Sequence, residues 1–263
     1  MIIGAYSFPL CGNVQTNLAH IKTAILCAVE KRVKLLLLPE CALTGYPGDD
    51  PKTTDEIDFQ AAQDGVTEIE ALSAAHDIAI LCGSVERVGE SCYNSALFFS
   101  PNEHVKTIYR KRALWGWDLD HFSQGDDENG IVEIEGFRIG VRICYEIRFP
   151  EYFRELFRQK ADCAAVLFCD RSDEDSEARY DLILSHLRTR AVENVFPLVC
   201  VNSCSAYQTA PSAAIDEDGV VQCELSRHQA GLLIFDLQRK EKLSFGAQGR
   251  KAVSSAMVKQ QSE

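Results

Sequence analysis

The sequence predicts an α/β protein (α+β by some schemes) folded as one domain, and three observations carry that prediction. Strand-like and helix-like patterns alternate along the whole length. Several strands are continuous apolar runs, such as "VKLLLLPE" and "CAAVLFC", the pattern of strands covered on both faces. No linker rich in Gly, Pro or Ser separates the halves. The 263 residues therefore read as a single domain spanning 1–263, with roughly the last 20 as a tail or an extension contacting a second copy.

In chain order, "IIGAYSF" is a strand. A helix follows from Val14 to Glu30, with Leu18, Ile21, Ile25 and Val29 on one face. "VKLLLLPE" is a strand stopped by Pro39. The "TGYPGDD" loop leads to a helix expected from near Thr54 to Ala75. "DIAILCGSV" and "CYNSALFFS" are strands, and "PNEH" turns into the strand "VKTIYRK". Residues 112–129 have no clean period and read as a long loop. "GIVEIEGFRIGVRI" is a hairpin turning at Gly136, and Pro150 opens a helix whose Glu151 suits its N-terminal dipole. "CAAVLFC" is a buried strand, followed by a helix ending near Asn194. "FPLVCVNS", "SAAIDEDGVVQCELS" and "AGLLIFDL" complete a strand-rich end, with "DEDG" as a turn.

Composition removes several function classes. A content of 46% hydrophobic and 25% charged residues is that of a soluble globular protein. A net charge of -12 opposes general binding to nucleic acid or anionic membranes, while leaving room for a small anionic ligand beside a local cation. No apolar run approaches the ~20 residues that span a bilayer. Eleven cysteines, many inside strands, point to reduced thiols in a cytoplasmic protein and not to a disulfide framework. The opening residues lack a secretory pattern. Cys200 and Cys204 have no second pair with ligand spacing, so no metal site is expected.

Three groups stand just beyond strands: Glu40 after "KLLLL", Lys111 after "KTIY" and Cys144 after "FRIGVRI". Ligand crevices of open α/β sheets lie at such strand ends. Thiol, carboxylate and ammonium form a set for acyl transfer: the thiolate attacks, Glu moves protons and Lys holds the oxyanion. Each also has an ordinary explanation, as a buried thiol, a helix cap or solvated charge, and a member of the charged run "YRKR". No histidine is placed as a base. His186 lies in a helix pattern as a structural or pocket-lining residue, so a cysteine–histidine hydrolase fits poorly.

The flanking segments decide between these readings. "LLLLPECALTGYP", "YRKRALWGWDLDHFSQG" and "GVRICYEIRFPEYFREL" resemble the glutamate, lysine and nucleophile segments of the nitrilase superfamily, the carbon–nitrogen hydrolases, and "RTRAVENVFPLVCVNS" resembles its later stretch. The resemblance covers nearly the whole chain. It implies a four-layer α-β-β-α sandwich of two mixed sheets, commonly paired as a homodimer. It also implies Glu40 as general acid/base, Lys111 as oxyanion stabiliser and Cys144 as nucleophile, with the Tyr145 backbone N–H as second oxyanion donor and no cofactor.

Two positions depart from the family. Ala113 stands where many members have histidine, and Asp118 is the nearest substitute for a second glutamate, with Asp120 next. Glu146 and Arg148 are expected to support the site or bind substrate. Arg171 is a candidate partner for a substrate carboxylate, its ordinary alternative being a surface ion pair with Asp170, Asp173 or Glu174. Arg190, Glu193 and Asn194 read as a satisfied polar cluster, and Trp115 and Trp117 as pocket mouth or dimer contact. The resulting expectation is a hydrolase releasing ammonia from a small amide or N-carbamoyl compound through a Cys144 thioester. The alternatives are nitrile hydrolysis by the same triad and a non-catalytic small-ligand-binding or scaffold protein.

Overall fold

The leucine run after Val33 shows how the layers form. In a strand, successive side chains point to opposite faces. Leu35 and Leu37 enter a core between two sheets, while Leu36 and Leu38 enter a second core shared with helices. The strand is therefore buried on both faces. The computed structural model describes residues 1–48, 50–170, 172–204 and 207–260.

The first sheet contains β1 (Ile2–Ser7), β2 (Leu35–Leu37), β3 (Ala79–Val88), β4 (Ser91–Ser100), β5 (Glu103–Arg110) and β12 (Gly231–Asp236), in the order β12-β1-β2-β3-β4-β5. The second contains β6 (Ile131–Ile134), β7 (Phe137–Ile143), β8 (Cys163–Leu167), β9 (Leu198–Val201), β10 (Ala213–Ile215) and β11 (Val221–Glu224), in the order β11-β10-β9-β8-β7-β6. Both are mixed. β1, β2 and β3 run parallel, as do β7, β8 and β9, and the remaining pairs are antiparallel.

Helices α1 (Val14–Glu30) and α2 (Phe59–His76) cover the outer face of the first sheet. Helices α4 (Pro150–Arg158) and α5 (Glu177–Asn194) cover the second. The inner core joins the sheets through residues such as Ala5, Leu81, Val141, Ala165 and Val201. This is the α-β-β-α sandwich that the family resemblance implied. The final helix, α6 (Phe245–Gln260), is tied to α5 by Arg250 Nε donating to the Val192 carbonyl at 2.9 Å.

Two local expectations change. Residues 54–56 form only a 3-10 turn, and α2 starts at Phe59 because Asp58 caps it, accepting from Ala61 N at 2.9 Å. The aperiodic stretch after Lys111 contains a short helix, α3 (Trp117–His121), stiffened by stacking of Trp117 on His121 with centroids 3.7 Å apart. None of the eleven cysteines is in a disulfide.

Candidate active site

The Pro39–Glu40–Cys41 turn leaves β2 and folds back against β3. Gly83 makes that possible, because a Cβ there would stand 2.3 Å from the Pro39 carbonyl and 2.6 Å from Glu40 Cα. Glu40 ends fully buried. A buried carboxylate is tolerable only when its oxygens are filled. Oε1 accepts from Asn94 Nδ2 at 2.7 Å and Lys111 Nζ at 2.9 Å, and Oε2 accepts from Cys169 N at 2.8 Å.

Lys111 follows β5, its backbone N–H donating to the Asn94 carbonyl at 2.8 Å. Its Nζ reaches Asp118 Oδ2 at 2.8 Å as well as Glu40. Asp118 is brought there by α3 and held from the other side by the Tyr46 hydroxyl, which donates to Oδ1 at 2.7 Å. The carboxylate shorter by one methylene therefore still reaches the lysine. Burial alone would lower the Lys111 pKa, but the negative charges around it, Glu40 foremost, hold it well above its ordinary value. An ammonium has three N–H donors. Two are engaged by carboxylates, which leaves one for a ligand oxygen.

Cys144 begins a 3-10 turn (Cys144–Arg148) directly after β7, with a left-handed φ of 45°. Such a conformation in a non-glycine residue costs ~1–3 kcal/mol and must be held by its surroundings. Glu146 supplies part of that hold. Fully buried, it accepts from Ile143 N at 2.8 Å, Arg112 N at 2.8 Å and the Tyr109 hydroxyl at 2.7 Å. It thus ties the Cys144 turn to the segment after Lys111. Arg190 holds the other end, donating to the Ile147 carbonyl at 3.0 Å and the Arg148 carbonyl at 2.9 Å.

Burial pushes the Cys144 thiol well up, helped by the charge of Glu40 and a hydrogen bond to it, while Lys111 opposes the shift. Burial is the largest cause that lifts Cys82 and Cys200 as well, each to about 12, so a raised pKa does not mark a nucleophile. The raised pKa keeps the proton on the thiol at neutral pH. Wild type minus Cys144→Ala should accordingly show no thiolate ultraviolet absorbance at neutral pH, nor at the ordinary thiol value of 9.0. A raised acid pKa keeps the proton bound through that range. A thiolate signal at neutral pH would contradict the geometry.

Lys111, Asp118 and Cys144 line a cavity of about 1020 Å³ together with Tyr145, Arg148, Trp115 and Trp117, and Glu40 lies behind them. His186 is away from this lining, its Nδ1 2.7 Å from the Leu182 carbonyl one turn earlier in its helix. Arg171 lies outside the described residues. Among these residues no group of His, Cys, Asp and Glu is arranged to hold a metal, and no helix is long and apolar enough to cross a membrane. Asn94 and the Cys169 N–H were not foreseen from sequence. The signal for Asn94 was one amide side chain inside the apolar strand "CYNSALFFS", where a buried polar group needs a partner.

The chain matches the family model for carbon–nitrogen hydrolases over residues 4–242. It is 31% identical over 233 residues to the 2-oxoglutaramate amidase of Bacillus subtilis, covering 80% of this chain and 87% of that protein. It is 35% identical over 181 residues to a Pseudomonas protegens hydrolase from the pqqF 5' region and 32% identical over 161 residues to the chloroplastic omega-amidase of Arabidopsis thaliana. Those matches cover 65% and 57% of this chain but only 58% and 43% of the relatives, about half their length. An amidase from Nesterenkonia sp. shares the fold with a TM-score of 0.81 at 22% identity, covering 98% of this chain and 96% of that one. Another structure of a Nesterenkonia amidase carries the acetamide moiety of fluoroacetamide on its active site cysteine.

Proposed function

Because the chain belongs to the carbon–nitrogen hydrolase family, we propose that it hydrolyses a small amide or N-carbamoyl compound through a thioester on Cys144. The observation that carries this reading is the arrangement itself: the buried Glu40–Lys111 pair, at 2.9 Å, stands at the cavity that Lys111 and Cys144 line together. One carboxylate can then move the proton while one cation stabilises the charge that the movement creates.

The cycle follows from these contacts. Glu40 takes the Cys144 proton as sulfur attacks the amide carbon, and the carbonyl oxygen becomes an oxyanion. The remaining Lys111 N–H and the Tyr145 backbone N–H receive it. Protonated Glu40 then gives its proton to the leaving nitrogen, the C–N bond breaks, and ammonia departs. Glu40 next takes a proton from water, which attacks the thioester, and returns it to sulfur. Amide plus water gives carboxylic acid plus ammonia. Each proton transfer contributes ~10²–10⁴-fold.

The names of the relatives, 2-oxoglutaramate amidase and omega-amidase, favour amides as the first substrates to try. Ammonia should be released from at least one member of a panel of aliphatic amides, dicarboxylic monoamides, N-carbamoyl amino acids and nitriles, and from none by Cys144→Ala. Turnover of nitriles alone, or none throughout, would overturn the amide reading; the second outcome would leave a small-ligand-binding protein. The reading includes a homodimer, for which exposed Trp115, Leu119 and Phe149 offer apolar surface. Light scattering from a fully active monomer would remove that part.

A further inference from the structure

Cys144 shares its cavity with a second thiol, Cys169, and neither is in a disulfide. In the proposed cycle Cys169 serves only through its backbone N–H, which donates to Glu40 Oε2 at 2.8 Å. Its sulfur has no part in that chemistry. The sulfur lies 3.6 Å from the Ser203 hydroxyl, and the residue is half-buried at the cavity wall, within reach of small solutes that enter.

The register of the second sheet sets the two cysteines close together. β7 and β8 run parallel, with Ile143 opposite Leu167. Ile143 is still extended, at φ -120° and ψ 119°, so Cys144 takes the next ladder position, level with Phe168. Phe168 also stays on the ladder, its N–H donating to the Val201 carbonyl at 2.8 Å. Cys169 is one residue further. Parallel strands ~4.8 Å apart, with a rise of ~3.3 Å per residue, put the Cys144 and Cys169 Cα atoms about 6 Å apart. Disulfides join Cα atoms about 4.4–6.8 Å apart. Cys41 is the other thiol of this region, but it is fully buried and packs into a separate apolar cluster with Ile57, Val85 and Phe122.

We propose that Cys169 is a modification site: under hydrogen peroxide it forms a reversible disulfide with Cys144, which closes the cavity to chemistry and shields Cys144 from irreversible oxidation. Cys169 gives up its proton and its sulfur bonds to one peroxide oxygen. The O–O bond breaks, the other oxygen leaves as water, and a sulfenic acid remains. The Cys144 sulfur then displaces that hydroxyl, the S–S bond forms, and the Cys144 proton departs with the hydroxyl as a second water. Peroxide is reduced and each sulfur gives up one electron. The order follows from burial, which keeps Cys144 protonated and makes it the slower partner for peroxide. A thiol reductant reverses the link by exchange. Oxidation of Cys144 to a sulfinic acid would not be reversed in that way.

The test treats the full chain with hydrogen peroxide, blocks remaining thiols, and digests it without reductant. Mass spectrometry should find the Cys144 peptide joined to the Cys169 peptide in wild type, and dithiothreitol should remove the link. In Cys144→Ala the second sulfur is missing, so the Cys169 sulfenic acid should persist and be captured by dimedone more than in wild type. Cys169→Ser keeps the backbone N–H that Glu40 uses. Ammonia release that wild type loses to peroxide should return with dithiothreitol, whereas whatever Cys169→Ser loses should stay lost. No linked pair in wild type, Cys169 joined to Cys41 instead, equal dimedone capture in wild type and Cys144→Ala, or full recovery of Cys169→Ser in dithiothreitol would each overturn the proposal. The link is read without turnover. A protein that releases no ammonia but forms the link would lose the amidase reading and keep the disulfide.

Discussion

Cys144→Ala is expected to reduce amide turnover to background, a loss on the order of 10⁶-fold by analogy with removal of other catalytic nucleophiles. The fold should survive, because alanine at φ 45° keeps the backbone contacts that Glu146 and Arg190 make around the turn. Glu40→Gln separates the roles further. It removes one of two negative charges around one positive charge, so Lys111 keeps a partner in Asp118 and the buried set stays balanced. Folding should persist while turnover falls ~10³–10⁴-fold, because a glutamine carries no proton in either half of the cycle. The two variants should differ in quenched-flow mass spectra. Glu40→Gln retains sulfur and can show a slow acyl adduct, whereas Cys144→Ala can show none. An acyl adduct elsewhere on the chain, or turnover persisting in Cys144→Ala, would remove the mechanism.

Lys111→Met should have the largest combined effect on stability and activity. Oxyanion stabilisation would be lost, at ~2.7–4 kcal/mol by comparison with single donors in other hydrolases. Two buried carboxylates, Glu40 and Asp118, would also lose the cation between them. Removing one partner from a buried ion network costs ~3–5 kcal/mol, because the remaining charge stays desolvated. The sign with pH follows. The penalty comes from like charges confined together, so protonating either carboxylate relieves it, and it should be smaller in acid than at neutral pH. Chemical denaturation at both pH values measures this. A destabilisation equal at the two would show that lost packing, not charge, is responsible.

How much of this was legible depends on the kind of signal each residue carries. Cys144, Glu40 and Lys111 lie just beyond strands with distinctive flanks, and in the structure Lys111 and Cys144 line one cavity while Glu40 pairs with Lys111. Burial on both faces was legible in "LLLL" and "CAAVLFC", whereas the four-layer arrangement of two sheets was implied only by the family resemblance. Helix α3 was missed because five residues are too few to establish a helical period. Asn94 was missed because a single amide has no spacing to betray its partner. Arg190, read as part of a satisfied polar cluster, does pair with Glu193 at 3.1 Å, but Asn194 Oδ1 in that cluster is buried without a hydrogen-bond partner among the described residues. The Arg190 guanidinium also fills carbonyls of the Cys144–Arg148 turn 42 and 43 residues earlier. Such long-range partners are fixed by tertiary packing, which local pattern does not encode.

The carboxylate and the ammonium come from the first sheet, and the thiol from the second. Apolar contact between two sheets is non-directional and does little to prevent one from sliding over the other. Directional bonds prevent it, and several cross between the layers at this end: Glu40 N to the Phe168 carbonyl, Cys169 N to Glu40, and the Tyr109 hydroxyl to Glu146. The bonds that align the reactive groups are thus also dowels that fix the lateral alignment of the two halves. A shear displacement of a fraction of an ångström, too small to expose any core, would already lengthen the path of the proton from sulfur to carboxylate. Loss of catalytic competence on heating should therefore come before loss of secondary structure, and the reaction rate reports how well the two layers stay in step.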